Sequence, residues 1–253
     1  MIFLQNKAIL VTRDERGAKQ LADKITSYGG RPILSPLLAI DCLPLQDENT
    51  DICSFDWVFF TSQNGVDCFL KQDQFAKRLH DCRIAAVGPK TAEKVKRSGY
   101  QVDFIPSVYN AKVMAEEFLA TYDDARSILL VQGVLSRRIL ADALNGSGKS
   151  CSSLEVYDTG TNHKEKDALN VALANGNVDI LTFASPSAVD AFIELAEQTN
   201  QYLHVPVACI GTTTEKRALE VGFTQTIIPE EFTIDSMIEA ISDFLTRKDE
   251  DSL

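Results

Sequence analysis

Short apolar runs alternate with amphipathic stretches along almost the whole chain. Ala8–Thr12, Trp57–Thr61, Ile84–Val87, Ile128–Val131, Asp179–Phe183 and Val207–Ile210 are dominated by apolar residues, the pattern of strands buried on both faces. Pro32–Ser35, Val102–Ile105, the segment around Cys151–Val156 and Thr226–Ile228 complete the predicted strands. Between the strands, apolar positions recur at helical spacing. Ala18, Leu21, Ala22 and Ile25 form one such stripe, and Val66, Phe69 and Leu70 a second. Ile139, Leu140, Ala143 and Leu144 form a third, and Val189, Phe192 and Ile193 a fourth. Strand–helix alternation of this kind predicts parallel sheets with right-handed crossovers.

The pattern repeats. Phe59-Phe60-Thr61-Ser62-Gln63-Asn64-Gly65-Val66-Asp67-Cys68-Phe69 matches Thr182-Phe183-Ala184-Ser185-Pro186-Ser187-Ala188-Val189-Asp190-Ala191-Phe192 with Ser62 and Ser185 separated by 123 positions. The same interval of 123 separates Gly88 from Gly211, Gly99 from Gly222, Pro106 from Pro229 and Met114 from Met237. One ungapped register held this far predicts two copies of a single structural unit.

Proximity along the chain then assigns the strands. Residues 40–155 hold three strands followed by a βαβ segment, enough for one five-stranded sheet. The other sheet needs residues 1–36 joined to 160–253, with crossings at 37–39 and 156–159 acting as a hinge. The expected architecture is therefore α/β: two flavodoxin-like lobes of strand order 2-1-3-4-5, each a five-stranded parallel sheet flanked by helices, joined by a two-stranded hinge.

Composition narrows the partners. The chain of 253 residues carries a formal charge of −11 and has no long basic run, which argues against nucleic acid and anionic membranes. Backbone amides and a few local cations still suit a small anion. No apolar run is long enough to span a bilayer, and the start, MIFLQNKAILVTR, does not read as a signal peptide. Cys42, Cys53, Cys68, Cys82, Cys151 and Cys209 form no C-x-x-C pair and read as reduced thiols of a cytoplasmic protein. His80, His163 and His204 are far apart in the sequence and give no metal-ligand pattern.

Ligands of open parallel sheets bind beyond the carboxyl ends of the strands. The residues expected there are Thr12 and Arg13, Ser62, Gln63 and Asn64, Lys90 and Thr91, Ser185 and Ser187, and Thr213 and Thr214. Small polar residues at strand-to-helix turns cap helices and leave amide N–H groups open to an anion. Each such turn alone is equally a helix cap; paired turns from both copies favour binding. No G-x-G-x-x-G, P-loop, G-x-S-x-G or H-E-x-x-H pattern occurs. Tyr157, in Leu154-Glu155-Val156-Tyr157-Asp158-Thr159, lies at the predicted return crossing, where its hydroxyl serves as a hydrogen-bond donor or its ring as hinge packing.

F-T-S-Q-N-G-V, A-V-G-P-K-T-A, V-Y-D-T, F-A-S-P-S-A-V and I-G-T-T-T, in this order and spacing, resemble the uroporphyrinogen-III synthase family of tetrapyrrole biosynthesis across essentially the whole chain. The resemblance implies a monomeric, cofactor-free, cyclising lyase with its site in an interlobe cleft. Its substrate would be hydroxymethylbilane, a linear tetrapyrrole with eight carboxylates, closed to uroporphyrinogen III with ring D inverted through a spiro-pyrrolenine. It also implies Tyr157 at the family's tyrosine position, assisting departure of the hydroxyl, with Thr214 and Ser185 at family binding positions and Thr91 as the repeat partner of Thr214. The protein partner it suggests is a transient contact with hydroxymethylbilane synthase. Two departures stand out: Gln132-Gly133 replaces the Arg-Gly of many members, with Arg137 and Arg138 further on, and Gly211-Thr212 replaces Gly-Pro. The alternative reading is a two-lobed small-anion binding protein, or a non-catalytic tetrapyrrole-binding paralogue.

Overall fold

The computed structural model describes residues 3–44, 52–72, 77–175 and 178–250. Its strands are β1 (Ala8–Val11), β2 (Arg31–Leu34), β3 (Leu38–Cys42), β4 (Trp57–Phe60), β5 (Arg83–Ala86), β6 (Ser127–Gly133), β7 (Ser150–Thr161), β8 (Ile180–Phe183), β9 (Val207–Cys209) and β10 (Thr226–Ile227). Its α-helices are α1 (Glu15–Ser27), α2 (Gln63–Leu70), α3 (Pro89–Arg97), α4 (Ala111–Thr121), α5 (Ile139–Gly146), α6 (Lys166–Asn175), α7 (Pro186–Leu195), α8 (Thr212–Glu220) and α9 (Ile234–Glu250). Two compact units result, one from residues up to Ala39 together with those from Gly160 onward, the other from Ile40–Thr159.

In the first unit the strand order is β10-β9-β8-β1-β2, and every pair is parallel. The central strand β1 sends Leu10 to one face and Ile9 and Val11 to the other, so both faces need cover. Helices α6, α7 and α8 supply Leu169, Leu173, Val189, Phe192 and Ala218 on the Leu10 side. Helices α1 and α9 supply Ala18, Leu21, Ile25, Met237, Ile238 and Ile241 on the other.

In the second unit the order is β3-β7-β6-β4-β5. Pairs β7–β6, β6–β4 and β4–β5 are parallel. Val58, Phe60, Leu129 and Val131 face α2 and α3 through Val66, Phe69 and Val95. Trp57, Phe59, Ile128 and Leu130 face α4 and α5, with Phe118 set edge-on to Trp57 and Phe59 at centroid distances of 4.9 and 4.7 Å. The repeat extends to the foot of each sheet. Asp56 Oδ2 accepts the Arg126 and Ser127 N–H groups at 2.8 and 3.0 Å, and Asp179 Oδ2, 123 positions on, accepts that of Ala8 at 2.7 Å.

Two expectations change. The predicted strand Val102–Ile105 contributes only a bridge between Phe104 and Ala85, because the Asp103 carboxylate takes the Ile84 N–H that a ladder carbonyl would otherwise accept. The fifth strand of this sheet is instead β3, from a segment predicted in part as a crossing. Leu43 N–H donates to Val156 C=O and Asn162 N–H to Leu37 C=O, so partners advance along β7 as they retreat along β3, and the two strands are antiparallel.

The reading of six reduced thiols is also corrected. Cys42 on β3 and Cys68 on α2 form a disulfide with their Cα atoms 5.2 Å apart. The pair was invisible in the sequence because only the pairing of β3 brings Cys42 beside α2. Cys82, Cys151 and Cys209 are outside disulfides; the Cys53 side chain lies outside the described residues. Burial pushes the Cys151 thiol up to about 11. Burial, with Glu215 nearby, pushes Cys209 up to about 12. Among the described residues no helix is long and apolar enough to cross a membrane, and no group of three or more His, Cys, Asp or Glu is placed to hold a metal ion.

Candidate functional site

The carboxyl end of each sheet carries a matched pair of helix starts. Ser62 caps α2 by accepting the Gly65 N–H at 3.0 Å; Ser185, its repeat partner, caps α7 by accepting that of Ala188 at 3.2 Å. Helices α3 and α8 are capped instead by the backbones of Gly88 and Gly211, with no side chain taking up their first N–H groups. Those N–H groups have no partner within a helix, and the helix dipole makes them attractive to anions.

In the second unit two hydrogen bonds link sequence-predicted residues. Gln63 Nε2 donates to the Lys90 carbonyl at 3.2 Å, which ties the start of α2 to the start of α3. Asn64 is half-buried, Lys90 is exposed and Thr91 is buried, facing the sheet from the first turn of α3. The Tyr157 hydroxyl lies 3.1 Å from Ser62 Oγ. Ser62 thus serves both as helix cap and as partner of the half-buried tyrosine.

The position of Tyr157 has a local cause. Strands β6 and β7 pair in one register up to Gln132–Glu155, then shift so that Gly133 lies opposite Tyr157. Val134 N–H donates to the Tyr157 carbonyl at 3.0 Å, which fixes the backbone there. A Cβ on Gly133 would meet Tyr157 Cε2 and Cζ at 2.6 Å, so the ring rests on the bare glycine. Gly133 is absent from the positive-φ positions, so its contribution is this missing side chain. Nothing in the sequence linked Gly133 or Ser62 to Tyr157, since both links depend on strand register.

In the first unit, Ser185 and Thr214 stand at successive helix starts, and Ser187 and Thr213 are exposed there. Thr214 itself is buried. Thr12 differs from its expected role: it is fully buried, and its hydroxyl donates to the Thr182 carbonyl at 2.7 Å while that of Thr182 donates to Leu10 C=O at 2.8 Å. Thr12 therefore ties β1 to β8. The half-buried Arg13 lays its guanidinium across Gly17 of α1. Arg137 is exposed beyond β6, and Gln132 is buried within it.

A groove of about 880 Å³ runs between β10 and α9. Glu230, Glu231, Asp235, Glu239 and Asp243 line it, with Arg247 the one cation among the described lining residues, so its sign is wrong for a polyanion.

Each unit, then, is an α/β sheet whose carboxyl edge presents polar caps and open amides, with one tyrosine hydroxyl among them; the molecule falls in the class of two-unit α/β proteins. The model of one family, uroporphyrinogen-III synthase HemD, matches residues 19–239, and the chain belongs to that family of cyclising lyases. A uroporphyrinogen-III synthase of Chlorobaculum parvum is 29% identical over 247 residues, covering 94% of this chain and 99% of that one. A second, from Synechococcus elongatus, is 26% identical over 251 residues, covering 94% and 95%. The crystal structure of uroporphyrinogen-III synthetase from Helicobacter pylori shares the fold, with a TM-score of 0.65 at 19% identity over 94% of this chain and 99% of that one.

Proposed function

We propose that this chain closes hydroxymethylbilane to uroporphyrinogen III with inversion of ring D. The terminal C–O bond breaks with its electron pair on oxygen, which leaves as water after taking a proton. The azafulvene that remains is attacked by the substituted carbon of ring D, forming a spiro-pyrrolenine. Fragmentation, reclosure with ring D reversed and loss of a proton complete the ring. Tyr157 donates its hydroxyl hydrogen to the departing oxygen, and Ser62, whose Oγ accepts the Gly65 N–H, donates its own hydrogen to the phenol oxygen and holds it in line. Amides at the starts of α2, α3, α7 and α8 take carboxylates of the substrate, with Lys90, Arg13 and Arg137 adding charge and Gln63, Asn64, Ser187 and Thr213 adding hydrogen bonds. The principal contribution is orientation, since the reaction needs one folded conformer of a flexible chain.

The remaining parts of the reading belong to the same proposal: two flavodoxin-like lobes with β3 and β7 as the two-stranded connection, a cytoplasmic monomer working without a cofactor, and a passing contact with hydroxymethylbilane synthase as substrate source. The observation that carries the proposal is the Tyr157 hydroxyl, 3.1 Å from Ser62 at the carboxyl end of the sheet and seated on Gly133. The test is incubation with freshly generated hydroxymethylbilane, oxidation and separation of isomers. Type III product is expected; type I alone rejects the synthase activity, and product binding without turnover marks a non-catalytic relative.

A further inference from the structure

The glycine turns that start α3 and α8 share a feature that core packing does not use. Tyr109 and Phe232, again 123 positions apart, are each 62% exposed. Each lies against the capping glycine of its own unit. A Cβ placed on Gly88 would be 3.4 Å from Tyr109 Cβ and 3.5 Å from Cγ; one on Gly211 would be 3.4 Å from Phe232 Cγ. The same backbone device holds both. Asn110 N–H donates to Val108 C=O at 2.8 Å, and Thr233 N–H to Glu231 C=O at 2.7 Å. Asn110 Oδ1 then accepts the Val113 N–H at 2.9 Å, and Thr233 Oγ1 that of Ser236 at 3.2 Å, capping α4 and α9. One exposed aromatic residue is ordinary. The same class of residue, equally exposed, on the same glycine in both copies, and on a turn pinned by equivalent bonds, points to a shared task.

We infer that Tyr109 and Phe232 are stacking platforms for pyrrole rings of the substrate. The inference rests on the synthase reading and deepens it. A pyrrole of this substrate has an electron-rich face and carboxylate arms. An aromatic ring takes the face in an offset or edge-on arrangement. The N–H groups of Lys90 and Thr91, or of Thr212 and Thr213, at the adjacent helix start take the arms. Each glycine lets its platform lie close to the amides, so one pyrrole engages both. Phe232 is flanked by Glu230 and Glu231, which repel carboxylate arms, whereas Tyr109 is flanked by Ser107, Val108 and Asn110. Tyr109 is therefore the stronger platform.

Tyr109→Leu and Phe232→Leu keep an apolar cover over the glycine and remove the ring; Tyr109→Phe and Phe232→Tyr keep the ring. With hydroxymethylbilane as substrate, the leucine variants should raise KM, by about tenfold at Tyr109 and less at Phe232, with a smaller change in kcat. The ring-retaining variants should return KM to within about threefold of the parent. A wild-type KM in folded leucine variants overturns the inference, as does an equal rise in the ring-retaining ones. Tyr109→Trp supplies a second measurement, because the single native tryptophan, Trp57, is buried. Titration with uroporphyrinogen III should shift the new emission to the blue, and an unmoved maximum at saturation overturns the stacking. The parent enzyme separates the two levels: if it forms type III isomer while the leucine variants behave normally, only the platforms fall; if it forms none, the synthase reading falls with them.

Discussion

Gly133→Ala tests whether the seat of Tyr157 matters to turnover. The new methyl would sit 2.6 Å from two ring carbons and 3.0 Å from the hydroxyl oxygen. Carbon atoms settle at about 3.5–4.0 Å, so the ring must retreat by roughly 1 Å. The Ser62–Tyr157 contact is already 3.1 Å long, and a shift of that size takes it past hydrogen-bonding range. A displacement of about 1 Å at a reacting group lowers a rate by up to roughly 100-fold. Stability should move little. The ring is half-buried, so overpacking costs about 1 kcal/mol, while replacing a strand glycine by alanine returns roughly 0.5–1 kcal/mol. The expected result is a 10- to 100-fold loss of type III isomer formation, with a melting temperature within about 3 °C of the parent. Initial rates by isomer-resolved chromatography, with a thermal melt on the same samples, would measure both. Turnover within about twofold of the parent in a folded Gly133→Ala variant would refute the link from glycine to ring position to catalysis.

Tyr157→Phe keeps the ring on Gly133 and removes the hydroxyl; turnover should fall roughly 100-fold with stability changed by no more than about 1 kcal/mol, and unchanged turnover would take Tyr157 out of the mechanism. KM should rise severalfold between about 0.05 and 0.5 M salt, since the proposed contacts are to exposed carboxylates, and a salt-independent KM would argue against amide capture of anions. Asp56 is held below the usual carboxylate range by hydrogen bonds from the Ser127 and Arg126 backbone. Its contribution is therefore full above the unfolded value near about 4 and is lost as pH falls through the lowered folded value. Asp56→Asn should reduce stability at neutral pH by about 1 kcal/mol, a figure kept small by solvent exposure, and should flatten the acid limb of a melting-temperature profile. Cys209, buried and pushed up to about 12, should resist iodoacetamide at pH 8 in the folded protein and react once denatured; rapid native labelling detected by mass spectrometry would contradict its burial.

The duplication was legible because it is written in residue type at a constant spacing. Ser62 and Ser185 cap equivalent helices, and Gly88 and Gly211 do likewise, as an ungapped offset requires. The strands with continuous apolar runs were legible for the same reason: Trp57–Phe60 and Ile180–Phe183 are buried along their whole length. β3 was harder. Its residues are half-buried or exposed, and its apolar run ends at Asp41, so Leu38–Cys42 reads as connection until its partner is known. The converse holds at Asp103, where an apolar stretch looked like a strand but a carboxylate occupies the neighbouring N–H. At the site, residue types announced the caps, but the contacts of Tyr157 follow from a one-residue register shift between β6 and β7. Thr12 shows the same limit: a hydroxyl at a strand end is equally suited to a ligand and to the next strand's carbonyl.

The path of the chain through the first sheet has a consequence for how the molecule is made. β1 finds its neighbour β8 only 171 positions later, with Ile9 registered against Ile180. At about 5–20 residues per second on the ribosome, roughly 10–30 s pass between the synthesis of those two strands. The sequence between Ile40 and Thr159 has been synthesised in full by then and holds nearly all of the five strands of its own sheet. A nascent chain halted at Thr161 would carry all strands of one sheet and only the pair β1 and β2 of the other, with α1 on the Ile9 and Val11 side and the Leu10 side awaiting chain not yet translated. Termination before Ile180 therefore leaves β1 without β8, the neighbour that joins it to the rest of its sheet.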